Sequence, residues 1–260
     1  MKKVIVFWPM AGGDKPDQFM ISYQMTKNHL LSMRNDIEIR EYPCTVFPVH
    51  SNRNACLGHA VEGFGGWKPD TTIWLDGDMS FPESCLFDLL ADKDRKVVSG
   101  MYYLKREPYS PMAFKRWKFD EKVGVWVYLP YWRHPLEKDF KVHAVGMGCV
   151  RIDRDVLERV VDQYEPPYFK YQSNSELELE DPRIDFLLKY GVEFNTEEMH
   201  FWPMVFDLGY DIWVNPNIRC EHWRWSSVGF DEYQQKLMDI FEYDFKYYSE
   251  EQWNIIKKEI

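Results

Sequence analysis

The sequence predicts an α/β fold in which a mostly parallel central sheet is flanked by helices. Two observations favour this class. Short β-rich apolar segments alternate with longer segments of helical spacing, and glycine or proline residues separate many of them. Strands that alternate with helices pair in parallel, since each helix carries the chain back across a face of the sheet. The first half supplies predicted strands at 4–8, 37–42, 71–75 and 96–103, and predicted helices at 18–33, 52–64 and 82–91.

The second half of the chain departs from this alternation. Residues 107–141 are rich in proline, aromatic and charged residues, which predicts an excursion of hairpins. A predicted strand at 143–152 follows, and Gly146 and Gly148 interrupt it. The remaining predicted elements are a helix at 153–162, a polar loop at 164–182, a short helix at 184–190, short strands at 211–214 and 218–222, and an amphipathic helical tail at 231–260.

Composition and charge limit the function classes. The chain has 260 residues, and its net charge of −10 argues against a general nucleic-acid coat protein. The charge is uneven, because residues 101–145 hold nine Lys and Arg against five Asp and Glu. An ordinary solvated face explains such a run as well as a binding surface does. Aromatic residues make up 17% of the chain, which provides flat rings for stacking on sugars or bases as well as for a core.

The cysteines and the N-terminal segment bear on location. Five cysteines, an odd number with no Cys-x-x-Cys pair, indicate reduced thiols. Residues 4–10 form a short apolar run after two lysines, but Gly12 and Gly13 follow in place of a cleavage site, which favours a buried strand over a signal peptide. No run approaches the roughly 20 apolar residues of a membrane span. We therefore expect a cytoplasmic protein, in the host cytoplasm if a phage encodes it.

Asp76-Gly77-Asp78 directly follows the predicted strand at 71–75. Ligands of open α/β sheets bind beyond the carboxyl ends of the strands, so this acidic pair lies where a ligand is expected. Two carboxylates separated by one small residue can face a single divalent cation, and oxygen ligands suit Mg²⁺ or Mn²⁺. Such a cation can neutralise a diphosphate leaving group. The motif therefore predicts a metal-dependent diphosphate site.

Several further segments follow in a fixed order and resemble the GT-A class of glycosyltransferases, especially its small bacterial and phage-type members. Arg53-Asn54 lies one helix before the acidic pair, and an acidic pair, Glu197-Glu198, follows far downstream. The other matching segments are 98–102, 145–152, 209–214 and Cys220-Glu221-His222. The resemblance runs over about residues 2–225.

The resemblance implies a role for each matching residue. Asp76, Asp78 and His222 would bind Mn²⁺ or Mg²⁺, and Asp76 could instead contact the ribose of the donor. Glu198 would be the catalytic carboxylate, with Glu197 beside it. The remaining donor-binding residues would be Pro9, Met10, Arg53, Asn54, Gly77, Gly146 and Gly148.

The same resemblance implies one domain over residues 1–260. Its parts would be a nucleotide-binding half at 1–104, an acceptor and metal half at 105–225, and a helical C-terminal extension at 226–260. The implied activity is transfer of a hexose or pentose from a nucleotide diphosphate sugar, with UDP-sugars as the expected donors, to a hydroxyl group.

Two departures from the family pattern affect the catalytic carboxylate. The family usually has Glu-Asp where this chain has Glu197-Glu198. Pro203 follows closely, and because proline is disfavoured inside a helix, we expect that helix to begin near Trp202. Both glutamates would then lie on the preceding loop, which leaves the stereochemical outcome open.

The acceptor is the least determined part of the prediction. The basic, aromatic excursion could bind an anionic acceptor such as phage DNA carrying a hydroxylated or already glycosylated base, with cations on the phosphates and rings on the bases. Its candidate acceptor-binding residues are Lys105, Arg106, Lys115, Arg116, Trp117, Trp132 and Arg133. A glycan or a lipid-linked sugar is the alternative acceptor. A metal-dependent nucleotide-sugar hydrolase and a non-catalytic nucleotide-sugar binder are the alternative functions, and the sequence leaves the oligomeric state open.

Overall fold

The computed structural model describes residues 1–9, 17–44, 48–104, 109–120, 125–170, 196–223 and 227–228. Its helices are α1 (Asp17–Met33), α2 (Val49–Glu62), α3 (Cys85–Ala91), α4 (Arg154–Gln163) and α5 (Glu197–Asp207). Its strands are β1 (Lys2–Pro9), β2 (Ile37–Cys44), β3 (Thr71–Leu75), β4 (Met79–Ser80), β5 (Val97–Met101), β6 (Ala113–Asp120), β7 (Val125–Pro130), β8 (Phe140–Val142), β9 (Ala144–Val145), β10 (Cys149–Asp153), β11 (Ile212–Arg219), β12 (Glu221–Trp223) and β13 (Ser227–Val228).

A seven-stranded sheet in the order β2-β1-β3-β10-β5-β11-β8 forms the centre of the fold. β1 pairs in parallel with β2 and β3, and β11 pairs in parallel with β5. β10 runs antiparallel between β3 and β5, and β8 is antiparallel at the edge, so five of the seven strands share one direction. The mostly parallel sheet flanked by helices is confirmed.

Burial explains why these segments form the centre of the sheet. All five residues of β3 and all five of β5 are buried, as expected for strands covered on both faces. Helix α1 packs Phe19, Tyr23 and Leu30 against the sheet, and all three are fully buried. The core is continuous, so the carboxyl ends of β1 and β3 and the start of β10 meet at one edge of a rigid sheet.

Two three-stranded sheets extend this framework. β6 and β7 pair as an antiparallel hairpin, as the sequence predicts for 107–141, and β9 joins the edge of β6. The strand predicted at 143–152 is divided at its glycines into β9 and β10. The small sheet β13-β12-β4 brings Glu221–Trp223 against Met79–Ser80.

Two predicted elements differ from the structure. The prediction of two separate strands at 211–214 and 218–222 is wrong, because a single strand, β11, runs through Pro216 to Arg219. Its pairing with β5 shifts between Asn215 and Arg219, and this irregularity accommodates a proline that cannot donate to a regular ladder. The predicted short helix at 184–190 and the tail at 231–260 lie outside the described residues. No helix in the described ranges is long and apolar enough to cross a membrane.

Candidate active site

Asp76 and Asp78 lie on a tight turn at the carboxyl end of β3. The amide of Asp76 donates to the Gly148 carbonyl at 3.0 Å, and the amide of Met79 donates to the Asp76 carbonyl at 3.3 Å. These bonds tie the turn to the start of β10 and lead the chain into β4. The two side chains keep 23% and 36% of their surface exposed, so both carboxylates can reach a ligand.

His222 is brought to this turn by the small sheet. β12 pairs with β4 so that His222 lies opposite Met79, and the amide of Trp223 donates to the Asp78 carbonyl at 2.7 Å. Each of the two ring nitrogens lies near an oxygen atom. Nδ1 lies 2.9 Å from the Tyr103 carbonyl, which can only accept a hydrogen bond, and Nε2 lies 3.5 Å from an Asp78 carboxylate oxygen.

The possible ligand atoms of Asp76, Asp78 and His222 do not all lie within 4.8 Å of one another, because Asp76 contacts Arg53 while Asp78 and His222 contact each other. The Tyr103 carbonyl accepts a hydrogen bond from Nδ1, so Nε2 is the ring nitrogen that can donate to Asp78 when protonated or bind a cation when neutral, as in metal-ligating histidines. Carboxylate oxygens suit Mg²⁺ and Mn²⁺, and the imidazole nitrogen suits Mn²⁺ better than the oxygen-seeking Mg²⁺. Burial lowers the pKa of His222, but the hydrogen bond to Asp78, the Asp78 charge, the Tyr103 carbonyl and the Asp76 charge together outweigh it and leave that pKa raised.

Arg53, on α2, joins this turn to the acidic pair of α5. Its Nη1 donates to Glu197 at 2.6 Å and to Glu198 at 3.2 Å, while its Nη2 contacts Asp76 at 3.1 Å. The guanidinium, Glu197 and Glu198 are all buried. One side chain thus links three carboxylates that are 23 to 145 residues away along the sequence.

Among the described residues around Arg53, carboxylates outnumber cations. Burial lowers the pKa of Arg53, but Asp76, Glu198 and Glu197 outweigh it and raise that pKa above its usual value, so the guanidinium stays charged. One cation faces three carboxylates here, and Asp78 adds a fourth nearby. The resulting negative charge favours a further cation at this edge of the sheet.

A cavity of about 10 Å³ lies beside Arg53 and has room for a single water. Phe7, Trp74, Asp76 and Met147 are among the residues that line it.

The expectation that Pro203 makes its helix begin near Trp202 is wrong. Helix α5 begins at Glu197 and contains Pro203 within it. Phe201, Trp202 and Val205 are fully buried, and the Trp202 indole donates to the Val145 carbonyl, so packing offsets the hydrogen bond that proline removes. Glu197 and Glu198 therefore occupy the first helical turn, where the helix dipole favours negative charge.

Tyr102 is a residue of this site to which the sequence pattern assigned no role. It follows β5, is 1% exposed, and its hydroxyl accepts a hydrogen bond from the Gly148 amide at 2.8 Å. A Cβ on Gly146 would lie 2.0 Å from that hydroxyl, and one on Gly148 would lie 2.9 Å from it. Its ring also meets His222 edge to face at 5.5 Å. The two glycines in the sequence indicated that another group approaches the backbone closely here. The fold shows that this group is the Tyr102 side chain.

The remaining predicted donor residues are only partly placed. Asn54 donates to the His50 and Phe169 carbonyls and accepts from the amides of Tyr168 and Phe169, which uses the full hydrogen-bonding capacity of its amide. Pro9 ends β1 beside the edge that carries Asp76, and Met10 lies outside the described residues. Contacts of these residues with a donor stay predictions.

The described cations of the predicted acceptor surface are largely engaged in internal contacts. Arg116 donates to Asp207 at 3.1 Å and lies over the Phe206 ring at 4.4 Å, which fixes the hairpin to α5. Lys115 donates to the Lys141 carbonyl and lies over Tyr131. Trp132 is buried, whereas Arg133 is exposed. Lys105, Arg106 and the side chain of Trp117 lie outside the part that the structure describes.

Comparisons with known proteins show similarity of fold. No family profile and no curated protein sequence matches the chain. Among solved structures, A197 from STIV is similar over 86% of each chain, with a TM-score of 0.50 and 19% identity. GalNAc-T7, solved with UDP, GalNAc and Mn²⁺, has a TM-score of 0.49 and 10% identity over 86% of this chain, which spans only 43% of that protein. The catalytic domain of Drosophila beta1,4galactosyltransferase 7, in complex with xylobiose, has a TM-score of 0.45 and 10% identity over 84% of this chain and 66% of that one.

Proposed function

We propose that this protein is a metal-dependent glycosyltransferase that moves a sugar from a nucleotide diphosphate sugar, most naturally a UDP-sugar, to a hydroxyl acceptor. The convergence of Asp76, Asp78, Glu197 and Glu198 with Arg53 and His222 at the carboxyl edge of the sheet carries this proposal. Ligands of this kind of sheet bind at that edge. The proposal places the protein in the cytoplasm, and its five cysteines are buried thiols outside any disulfide, which suits a reducing compartment.

Asp76, Asp78 and His222 would hold Mn²⁺ or Mg²⁺. A cation bound there would supply charge neutralisation for the diphosphate that leaves with the nucleoside. The Asp76–Asp78 turn would orient the donor, because its backbone is fixed by the Gly148 carbonyl and by β12. Gly77 keeps this turn free of a side chain, as a closely approaching phosphate requires.

Glu198 is the proposed base. It would accept the proton of the acceptor hydroxyl as that oxygen bonds to the anomeric carbon, while the bond from that carbon to the diphosphate breaks. Arg53 contacts both carboxylates, Glu197 at 2.6 Å and Glu198 at 3.2 Å, and the base role is assigned to Glu198 because the family resemblance has its catalytic carboxylate at that position. Glu197 would then keep Arg53 in position.

The acceptor class is proposed more broadly, as a compound with a free hydroxyl. A hydroxylated or glycosylated base in phage DNA, a glycan and a lipid-linked sugar are the acceptors to compare. Arg133 and Lys138 are described cations of the excursion with exposed side chains, so they are the ones to test against an anionic acceptor. The DNA form of the proposal predicts binding that weakens steeply as salt concentration rises.

Incubation with Mn²⁺ and a panel of nucleotide sugars, with and without these acceptors, tests the function. Transfer predicts nucleotide release that the acceptor stimulates and an acceptor mass gain of one sugar. Asp78→Asn should abolish metal-dependent nucleotide binding, because it removes a charged ligand that faces His222. Asp155→Asn is the matched control, since Asp155 is an exposed carboxylate beyond the opposite end of β10.

The other outcomes of the same assay identify the alternatives. Turnover that does not depend on an acceptor would show a nucleotide-sugar hydrolase. Thermal stabilisation by nucleotide and metal without turnover would show a non-catalytic binder. Nucleotide binding that survives Asp78→Asn would overturn the metal site itself.

A further inference from the structure

Three of the five cysteines meet at one point inside the protein. Cys85 begins α3, Cys149 begins β10, and Cys220 follows β11. Their three sulfur atoms all lie within 4.8 Å of one another, and Cys85 and Cys149 are 3.5 Å apart. They come from three separate elements of the chain, so the fold rather than local sequence brings them together.

The sulfur atoms are enclosed, and the sheet leaves space for them. Cys85 and Cys149 are 0% exposed and Cys220 is 2% exposed. On the neighbouring strand, a Cβ at Gly100 would lie 2.9 Å from the Cys149 sulfur, so a larger residue there would displace it. The lack of a side chain at Gly100 therefore leaves room for the Cys149 sulfur beside the other two thiols.

The spacing fits a three-sulfur metal site. Metal–thiolate bonds of about 2.3 Å in a trigonal arrangement place the sulfur atoms about 4.0 Å apart. The Cys85 and Cys149 sulfur atoms are 3.5 Å apart and the other pairs are no more than 4.8 Å apart, which is compatible with that value. No fourth histidine, cysteine or carboxylate joins the group among the described residues. Thiolate ligands select soft cations such as Cu⁺, and exclude the hard cations that carboxylates prefer.

We propose that Cys85, Cys149 and Cys220 form a structural site for a thiophilic d¹⁰ cation, with Cu⁺ as the ion best suited to three sulfur ligands. The site would brace the segments behind the carboxylates. Cys149 pairs with Leu75, the residue before Asp76, and Cys220 lies two residues before His222. This site is separate from the Asp76–Asp78 turn in both position and ligand chemistry.

Metal retention after refolding tests the site. The full chain is refolded under anaerobic, reducing conditions with Cu⁺ or, in a parallel arm, Zn²⁺, and is then washed with a chelator before metal analysis. We expect about one ion per chain to survive the wash, because ligands enclosed in the core exchange slowly while the exposed turn releases its cation. Folded protein should take up the ion far more slowly than refolding protein.

Matched cysteine variants locate the ion. Cys220→Ala should remove the retained metal, whereas Cys44→Ala, which deletes a buried thiol outside the cluster, should keep it. If Cys220→Ala does not fold, X-ray absorption of the wild-type protein decides, since the site predicts a shell of sulfur only. Scattering from oxygen or nitrogen, no retained ion, or equal retention in the two variants would each overturn the proposal.

Discussion

Charged residues at the Asp76 edge of the sheet and in the β6–β7 hairpin have opposite arrangements. At the sheet edge, Arg53 is one buried cation among several carboxylates, and acids are in excess in the part of the chain that the structure describes. In the hairpin, Arg116 and Lys115 are each satisfied by a partner of this chain. An excess of one charge indicates a place for a ligand, whereas a satisfied cation indicates packing. Local charge along the sequence does not distinguish the two cases.

Arg53→Met is expected to have the largest effect. It would leave Asp76, Glu197 and Glu198 without the cation that joins them, and removal of one partner from a buried ion-pair network costs about 3–5 kcal/mol. Chemical denaturation measures the loss of stability. Arg53→Lys is the matched control, because lysine keeps the positive charge but lacks the two Nη atoms that contact Asp76 and the glutamates separately. Equal stability of Arg53→Met and wild type would contradict the network.

Glu198→Gln is expected to affect turnover more than folding. The amide keeps the shape of the side chain and can still contact its surroundings, but it cannot accept the acceptor proton. General-base removal lowers kcat by roughly 10²–10⁴-fold. Glu197→Gln is the comparison, and it should lower kcat less, since Glu197 is proposed to hold Arg53 in position rather than to accept the proton. A larger kcat loss in Glu197→Gln would reverse the two assigned roles.

Sequence alone predicted the framework better than the site. The order of strands and helices, the turn at Asp76-Gly77-Asp78 and the divided strand at Gly146 and Gly148 follow from local patterns. The Arg53 contacts could not be predicted, because they join residues up to 145 positions apart and depend on how α2 and α5 pack. The start of α5 was mispredicted for a similar reason, since buried aromatic packing outweighs the local penalty of Pro203.

Gly146→Ala tests whether Tyr102 belongs to the rigid part of the site. The added methyl would lie 2.0 Å from the Tyr102 hydroxyl, and that hydroxyl is held by the Gly148 amide. Overpacking of this kind costs about 1–3 kcal/mol, which thermal unfolding can measure. Addition of Tyr102→Phe should recover part of the loss, because it removes the atom that clashes. No recovery in the double variant would show that the strain lies elsewhere.

Arg116→Ala and Arg133→Ala test the hairpin, where the smallest effects are expected. Arg116→Ala should lower stability by about 1 kcal/mol, because it removes a half-exposed ion pair with Asp207 and the contact with Phe206. Arg133→Ala should change stability less than Arg116→Ala does, since the Arg133 side chain is exposed. Neither variant should change metal-dependent nucleotide binding, because both residues lie outside the carboxylate cluster. If Arg133→Ala weakens acceptor use while Arg116→Ala does not, the hairpin contributes to the acceptor surface through its exposed cation. Equal, unchanged acceptor use in both variants would assign the described part of the hairpin to packing alone.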